Sequence, residues 1–346
     1  MEKVNINKKY FLKNLEEVLS VDSTTGFNDG IIELMSKKIS ELGFKYEVTH
    51  KGGIIVTLGG EGNPVCVTSH MDTIGLMVRH INQDGTLKVC NVGGLYPFYS
   101  VTENVRVYTR DGKVYTGNVS RNPNSIHVTE NELRGTLADF DTNVCIVLDE
   151  DVKTKEDTEK LGIEVGDYVN LEPRFCVEND YIKSRFLDDK ASVAIMLAFM
   201  KHIKDNNIKL NRKVYFYFAC YEEIGHGTTY LPNDVKDILA VDIAPMGDNQ
   251  TSDEKKVSIF AKDSRFPYNY NYTNELREIA KEHKLNFCLD IFTPHYGSDA
   301  DGSVMAGYDI RWGAIGFGTR NSHGYERTHL DGINETYKLL YYYLLK

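Results

Sequence analysis

The sequence has no uninterrupted apolar run approaching the roughly 18–20 residues of a membrane-spanning helix, no cysteine pair at C-x-x-C spacing, and no excess of basic charge. Each absence excludes a class. Without the apolar run the chain is not expected to cross a bilayer. The six cysteines, Cys66, Cys90, Cys145, Cys176, Cys220 and Cys288, are scattered. Most sit in apolar runs such as PVCVTS and YFACY, where a thiol behaves as a small buried hydrophobe. Neither a thiolate zinc site nor disulfides are expected, and a reducing compartment is. Forty Lys and Arg against fifty Asp and Glu give a formal charge of −10. That argues against a nucleic-acid partner, which calls for a cationic face, and against electrostatic attachment to a membrane. The first residues, MEKVNINKKYFLKNLEEVLS, carry charges of both signs and no continuous apolar stretch, unlike a secretory signal, so a cytoplasmic protein is expected. There is no internal repeat and no low-complexity run.

What is present is an ordinary globular composition, 41% hydrophobic and 26% charged over 346 residues. That suffices for two domains, or for one large domain carrying an insertion. Phe11, Leu12, Leu15, Val18 and Leu19 recur at helical spacing, as do Ile31, Ile32, Met35, Ile39 and Leu42. GGIIVTLGG and PVCVTSH then read as strands. Between Ile74 and Pro173 helical periodicity fades, and Asp84-Gly85 and Asp111-Gly112 mark hairpins. About one hundred β-rich residues are enough for a small barrel, with Leu95-Tyr96-Pro97-Phe98-Tyr99 read as part of its core. After Pro173, LDDKASVAIMLAFMKHIK is apolar nearly all round, the mark of a buried helix. KVYFYFACYEE, DILAVDIAP and RWGAIGFGT read as strands, TNELREIAKEHKL as a helix capped by Thr273, and DGINETYKLLYYYLLK as a closing helix. The expected organisation is a mixed α/β domain formed by residues 1–73 and 168–346, interrupted by a β-barrel insertion at 74–167.

Several motifs set a metal-capable side chain just beyond a strand or at a junction, where ligands collect in open α/β sheets. Ser69-His70-Met71-Asp72 follows PVCVT. His70 can bind a metal through one ring nitrogen while Asp72 holds the other N–H, although the motif equally fits a polar turn. Leu187-Asp188-Asp189-Lys190 opens the apolar helix. An Asp suits a helix start, and a carboxylate there can also bridge two cations. Tyr221-Glu222-Glu223-Ile224-Gly225 ends a hydrophobic strand with adjacent carboxylates, which is costly unless they are paired or metal-bound. Asp242 is an acid embedded in an apolar strand, and Arg320-Asn321-Ser322-His323-Gly324 follows GAIGFG. Two histidines and three or four carboxylates fit a pair of divalent metals, zinc or cobalt, about 3.5–4 Å apart and able to activate a water. Asp188 would bridge, each metal would take one His and one further carboxylate, and a leftover Glu would act as base. Glu222 serves if Glu223 is the ligand.

These residues also carry a resemblance. The chain resembles the tetrahedral (TET) aminopeptidases, metallopeptidase family forty-two, which includes glutamyl and deblocking aminopeptidases often labelled endoglucanases. HMDTIGLMVRHINQDGTLKVCNVGG, LGIEVGDYV, LDDKAS, YEEIG, AVDIAP, YGSDADGSVMAG and RNSHGYE follow in the family order. The resemblance implies an α/β/α metallopeptidase domain on a mixed sheet with an inserted barrel that serves as assembly and lid domain. It maps His70, Asp188, Glu223, Asp242 and His323 onto ligands of two divalent metal ions, with Asp188 bridging. Glu222 maps onto the general base and Asp72 onto the acid that orients His70. It further implies release of N-terminal residues from short peptides, and a cytoplasmic homo-oligomer, typically a dodecamer.

The match has departures. Thr73 stands where the family usually has Glu, Asp188-Asp189-Lys190 replaces Asp-Asn-Arg, and Ser298 replaces the Thr of T-D-A. His127 aligns only loosely with a family lid histidine and is left out of the site. His202 and His283 read as solvated side chains on helices. A related deacylase of the acetylornithine deacetylase type would keep the metals and change the substrate. A glycosidase using Glu222 and Asp242 would leave both histidines and Asp188 unexplained.

Overall fold

The apolar residues on every side of LDDKASVAIMLAFMKHIK form the helix Leu187–Asp205, buried without a break from Leu187 to Met200. One side meets the helix Lys8–Leu19 and the other lies on the strands Val65–His70 and Asp237–Pro245. The computed structural model describes residues 4–346. The chain folds as two units: one holds the residues before Thr73 together with Arg174–Lys346, the other is Thr73–Pro173. Among the described residues no helix is long and apolar enough to cross a membrane.

The first unit is built on an eight-stranded mixed sheet. Its order is Tyr46–Val48, Ile54–Gly59, Val214–Ala219, Val65–His70, Asp237–Pro245, Arg311–Thr319, Val257–Lys262 and Phe287–Ile291. Four neighbours, from Val214–Ala219 to Arg311–Thr319, run parallel. Val65–His70 and Val214–Ala219 are buried at every residue, as continuous apolar strands covered on both faces should be. The register sets Ala219 beside His70, and Ala240 beside Thr68. The carboxyl ends of these strands therefore gather the segments that carry Asp72, Glu222, Asp242 and His323. Gly316 lies opposite Asp242. A Cβ at Gly316 would stand 2.2 Å from the Asp242 carbonyl oxygen, and one at Gly318 would stand 2.2 Å from the Asp253 carbonyl oxygen. No side chain fits at either position.

The second unit is a closed barrel of Gly75–Ile81, Leu87–Val92, Val144–Leu148, Val114–Arg121, Asn104–Tyr108 and Tyr168–Leu171. Both Asp-Gly pairs lie in turns between antiparallel strands. Leu76, Val78, Leu87, Val89, Val105, Val107, Ile146 and Val169 are among its buried residues. Closure leaves the barrel no free edge.

Three local expectations change. The sequence places Tyr168–Leu171 in the α/β domain, yet the strand pairs with both Gly75–Ile81 and Asn104–Tyr108. The barrel closes through it, and the insertion runs on to Pro173. In Leu95–Tyr99 only Leu95 is core. Tyr96 and Phe98 are 64% and 73% exposed, because Pro97–Ser100 makes a single helical turn whose residues cannot all face one side. The helix Tyr270–Glu282 is capped by Asn269, whose side chain accepts from Tyr272 N–H, so Thr273 lies inside it.

Candidate active site

His70 ends its strand 1% exposed. Its Nδ1 lies 2.9 Å from the main-chain oxygen of Asp72 and 3.7 Å from the Asp72 carboxylate. A carbonyl accepts only, so Nδ1 donates, and Nε2 is the nitrogen left for a metal once its own proton is displaced. Nε2 faces Asp188 Oδ1 at 3.2 Å and Glu222 Oε2 at 3.6 Å. The other oxygen of Asp188, Oδ2, faces His323 Nε2 at 3.6 Å, and that nitrogen lies 3.6 Å from Glu223 Oε2. One carboxylate thus offers a separate oxygen to each histidine.

Local backbone explains these directions. Asp188 (φ −73°, ψ 106°) and Asp189 (φ −116°, ψ 23°) are not helical, so the regular helix begins only beyond them. After the strand Val214–Ala219, Tyr221 and Gly225 adopt left-handed conformations on either side of the 3-10 turn Glu222–Ile224. Asp72 holds that turn: its Oδ1 accepts Glu222 N–H at 3.2 Å, and its Oδ2 accepts Glu223 N–H at 3.4 Å and the Thr25 hydroxyl at 2.6 Å. The sequence gives the Asp72 side chain to His70; in the structure the Asp72 carbonyl is the nearer acceptor, at 2.9 Å against 3.7 Å. Asp242, 4% exposed, accepts Ile243 N–H at 2.6 Å. Ligand atoms of His70, Asp188 and Glu223 fall within 4.8 Å of one another, as do those of His70, Asp189 and Asp242.

The structure adds three acids to the expected set. Asp189, fully buried, accepts the main-chain N–H of His70 at 3.2 Å. Asp299 accepts the Thr68 hydroxyl at 2.9 Å. Glu326 accepts Asp188 N–H at 3.0 Å and His323 N–H at 3.1 Å. All three lie in the motifs LDDK, SDA and RNSHGYE, where doubled or flanking acids were the available signal. His202 and His283 stay out of the cluster. His127 is exposed, and His202 and His283 are half-buried against tyrosines rather than solvated, His283 stacked 3.5 Å from the Tyr342 ring.

The electrostatics are those of too much negative charge in too little water. Burial, then neighbouring charge, pushes Glu222, Asp189 and Asp242 well above the ordinary carboxyl range. Burial likewise raises Glu223 to about 7, Asp299 to about 6 and Glu326 to about 8. Asp188 is the exception: burial would raise it, but the His70 hydrogen bond and the charges of both histidines hold it low. Burial disfavours the His70 imidazolium, yet Asp188, Glu222, Asp189 and Asp72 outweigh burial and raise its pKa well above the usual value. Imidazole nitrogens and carboxylate oxygens, with no thiolate among them, form a donor set that suits divalent cations such as zinc. Bound cations would offset the crowding of buried anions. The residues fit the metals that the sequence implies.

The profile of the M42 glutamyl aminopeptidase family matches residues 52–339. The chain belongs to this family. M42 members are metal-dependent aminopeptidases, so the protein is a hydrolase of peptide bonds. It is 39% identical to YhfE of Bacillus subtilis (strain 168), a protein provisionally named an aminopeptidase, over 95% of this chain and 96% of that one. Its fold is that of a TET aminopeptidase from a marine sediment archaeon of the Thaumarchaeota: TM-score 0.87, 17% identity, 97% of each chain. It is also that of the Pyrococcus horikoshii TET1 peptidase, which can assemble into a tetrahedron or a large octahedral shell: TM-score 0.84, 22% identity, 97% and 99% of the two chains. The M42 fold thus combines the mixed sheet and the closed six-stranded barrel seen in this chain.

Proposed function

We propose that this M42 peptidase is a dinuclear aminopeptidase that removes N-terminal residues from short peptides. The observation that carries the reading is Asp188, whose two oxygens face His70 and His323 separately. His70, Asp188 and Asp242 would hold one divalent cation, and Asp188, Glu223 and His323 the other, with zinc or cobalt suited to both. Bound there, the pair would supply Lewis-acid activation of a water and of the scissile carbonyl. The remaining chemistry belongs to the chain. Glu222, its carboxylate beside His70 and its pKa raised by burial, takes a proton from the attacking water. It then returns that proton to the departing amine. Asp72 holds the turn from which Glu222 and Glu223 diverge.

The same reading extends to a cytoplasmic homo-oligomer, a dodecamer by resemblance, with the barrel as its assembly and lid domain. The shells described for the P. horikoshii peptidase of the same fold support this. The test is hydrolysis of aminoacyl-p-nitroanilides and short peptides. Activity should vanish with a chelator, return with zinc or cobalt, and be lost when the peptide N-terminus is acetylated. Cleavage that prefers acetylated substrates would favour a deacylase instead, and cellulose hydrolysis surviving chelation would overturn the reading.

A further inference from the structure

Glu326 is 1% exposed and stands three residues beyond His323. It begins the strand Glu326–His329, which pairs with Tyr181–Ser184 so that Glu326 lies opposite Ser184. A bridge between Arg320 and Arg327 closes the loop that carries His323, and within that loop Asn321 and His323 adopt left-handed backbone conformations, φ +57° and +62°. Non-glycine residues hold such conformations only where their surroundings enforce them. Part of that enforcement is on view. Oε1 of Glu326 accepts His323 N–H at 3.1 Å, and Oε2 accepts Asp188 N–H at 3.0 Å. One buried carboxylate thus ties together two segments that are remote in sequence, and the side chains those segments carry meet at 3.6 Å.

We propose that Glu326 is a positioning residue: by receiving both backbone N–H groups it sets the spacing of Asp188 and His323, and so the affinity of the cation those two would share. The inference rests on the two-cation reading above. Zinc accepts nitrogen and oxygen ligands only within a few tenths of an ångström of about 2.0–2.2 Å. A drift between the two segments is therefore felt first as weaker binding. The task needs two acceptors at this reach. Glutamine has one acceptor and one donor, so its NH2 would confront a backbone N–H and leave that N–H unpaired in the interior. Aspartate keeps both acceptors but is one methylene short.

The test is cation binding by isothermal titration of the chelated and dialysed full chain, with zinc as the probe, for the parent, Glu326→Gln and Glu326→Asp. The parent should bind two cations. In Glu326→Gln the affinity for one of them should fall about 10–100-fold, the range found when a hydrogen-bond partner of a metal ligand is removed, and Glu326→Asp should fall in between. Thermal melting with and without zinc separates binding from folding. A clamp predicts that the zinc-induced rise of the midpoint shrinks in the variants, even if their metal-free midpoints also drop. A merely structural role predicts a lower metal-free midpoint with the zinc-induced rise unchanged, and that result overturns the proposal. Two cations bound with parental affinity by Glu326→Gln also overturn it while leaving the dinuclear reading intact. A parent that fails to bind two cations overturns both.

Discussion

The main-chain carbonyl of Asp72 lies 2.9 Å from His70 Nδ1, while the Asp72 carboxylate lies 3.7 Å from the same nitrogen. The backbone therefore orients the imidazole, and the carboxylate is free to hold the N–H groups of Glu222 and Glu223.

Asp72→Asn should consequently leave the cations in place and damage turnover. The carbonyl nearest His70 is untouched, but each N–H of the Glu222–Glu223 turn meets a different oxygen of Asp72, and an amide replaces one of those oxygens with a donor. We expect kcat to fall by about 10–100-fold, as for other outer partners of metal sites, with two cations still bound. Metal analysis alongside steady-state kinetics checks this. Loss of a cation at unchanged kcat would return the carboxylate to the role of holding His70.

Glu222→Gln keeps the volume and removes the base. A positioned proton acceptor contributes about 10²–10⁴-fold to rate, so kcat should fall by that factor while KM and cation content stay near parental values. Full peptidase activity in this variant would remove Glu222 from the mechanism.

The buried acids also set how stability depends on pH. Folded-state pKa values are raised for Glu222, Asp189 and Asp242, and reach about 7 for Glu223, about 6 for Asp299 and about 8 for Glu326. In the unfolded chain the same groups titrate near roughly 4. Between those limits the folded state holds more protons, so stability falls as pH rises from about 4 to about 8. The raised His70 acts in the same direction, its contribution fading as pH climbs. The depressed Asp188 acts oppositely, but only below about pH 4. Chelated protein should therefore melt at progressively lower temperature from pH 5 to pH 8, and the rise produced by zinc should grow over the same range. Circular dichroism melts at each pH measure both, and a chelated protein that gains stability toward pH 8 would contradict the charge crowding.

The legible part of this molecule is the part written locally. PVCVTSH, YFAC and ILAVDIAP announce buried strands by their own apolar runs, and His70, Asp188, Glu223, Asp242 and His323 are conspicuous because charge there interrupts or ends apolar sequence. What escaped depends on register and on pairing between remote segments. Glu326 matters because its carboxylate meets a backbone N–H 138 residues away, and no spacing within RNSHGYE reveals that. Tyr168–Leu171 is apolar enough for either unit, and only its two neighbours assign it to the barrel. Sequence shows that Asp72 is near His70, but not that its carbonyl comes closer to Nδ1 than its carboxylate does.

The strand Arg311–Thr319 carries a last consequence. At Gly316 and Gly318 the neighbouring backbones leave no room for even a methyl group. Here the usual order of tolerance is inverted, and alanine, the mildest replacement elsewhere, is already an intrusion. Gly316 lies against Asp242, so a side chain added there would press on the main chain of Asp242 itself. The proposed metal ligand is guarded by a residue that contributes no side chain at all.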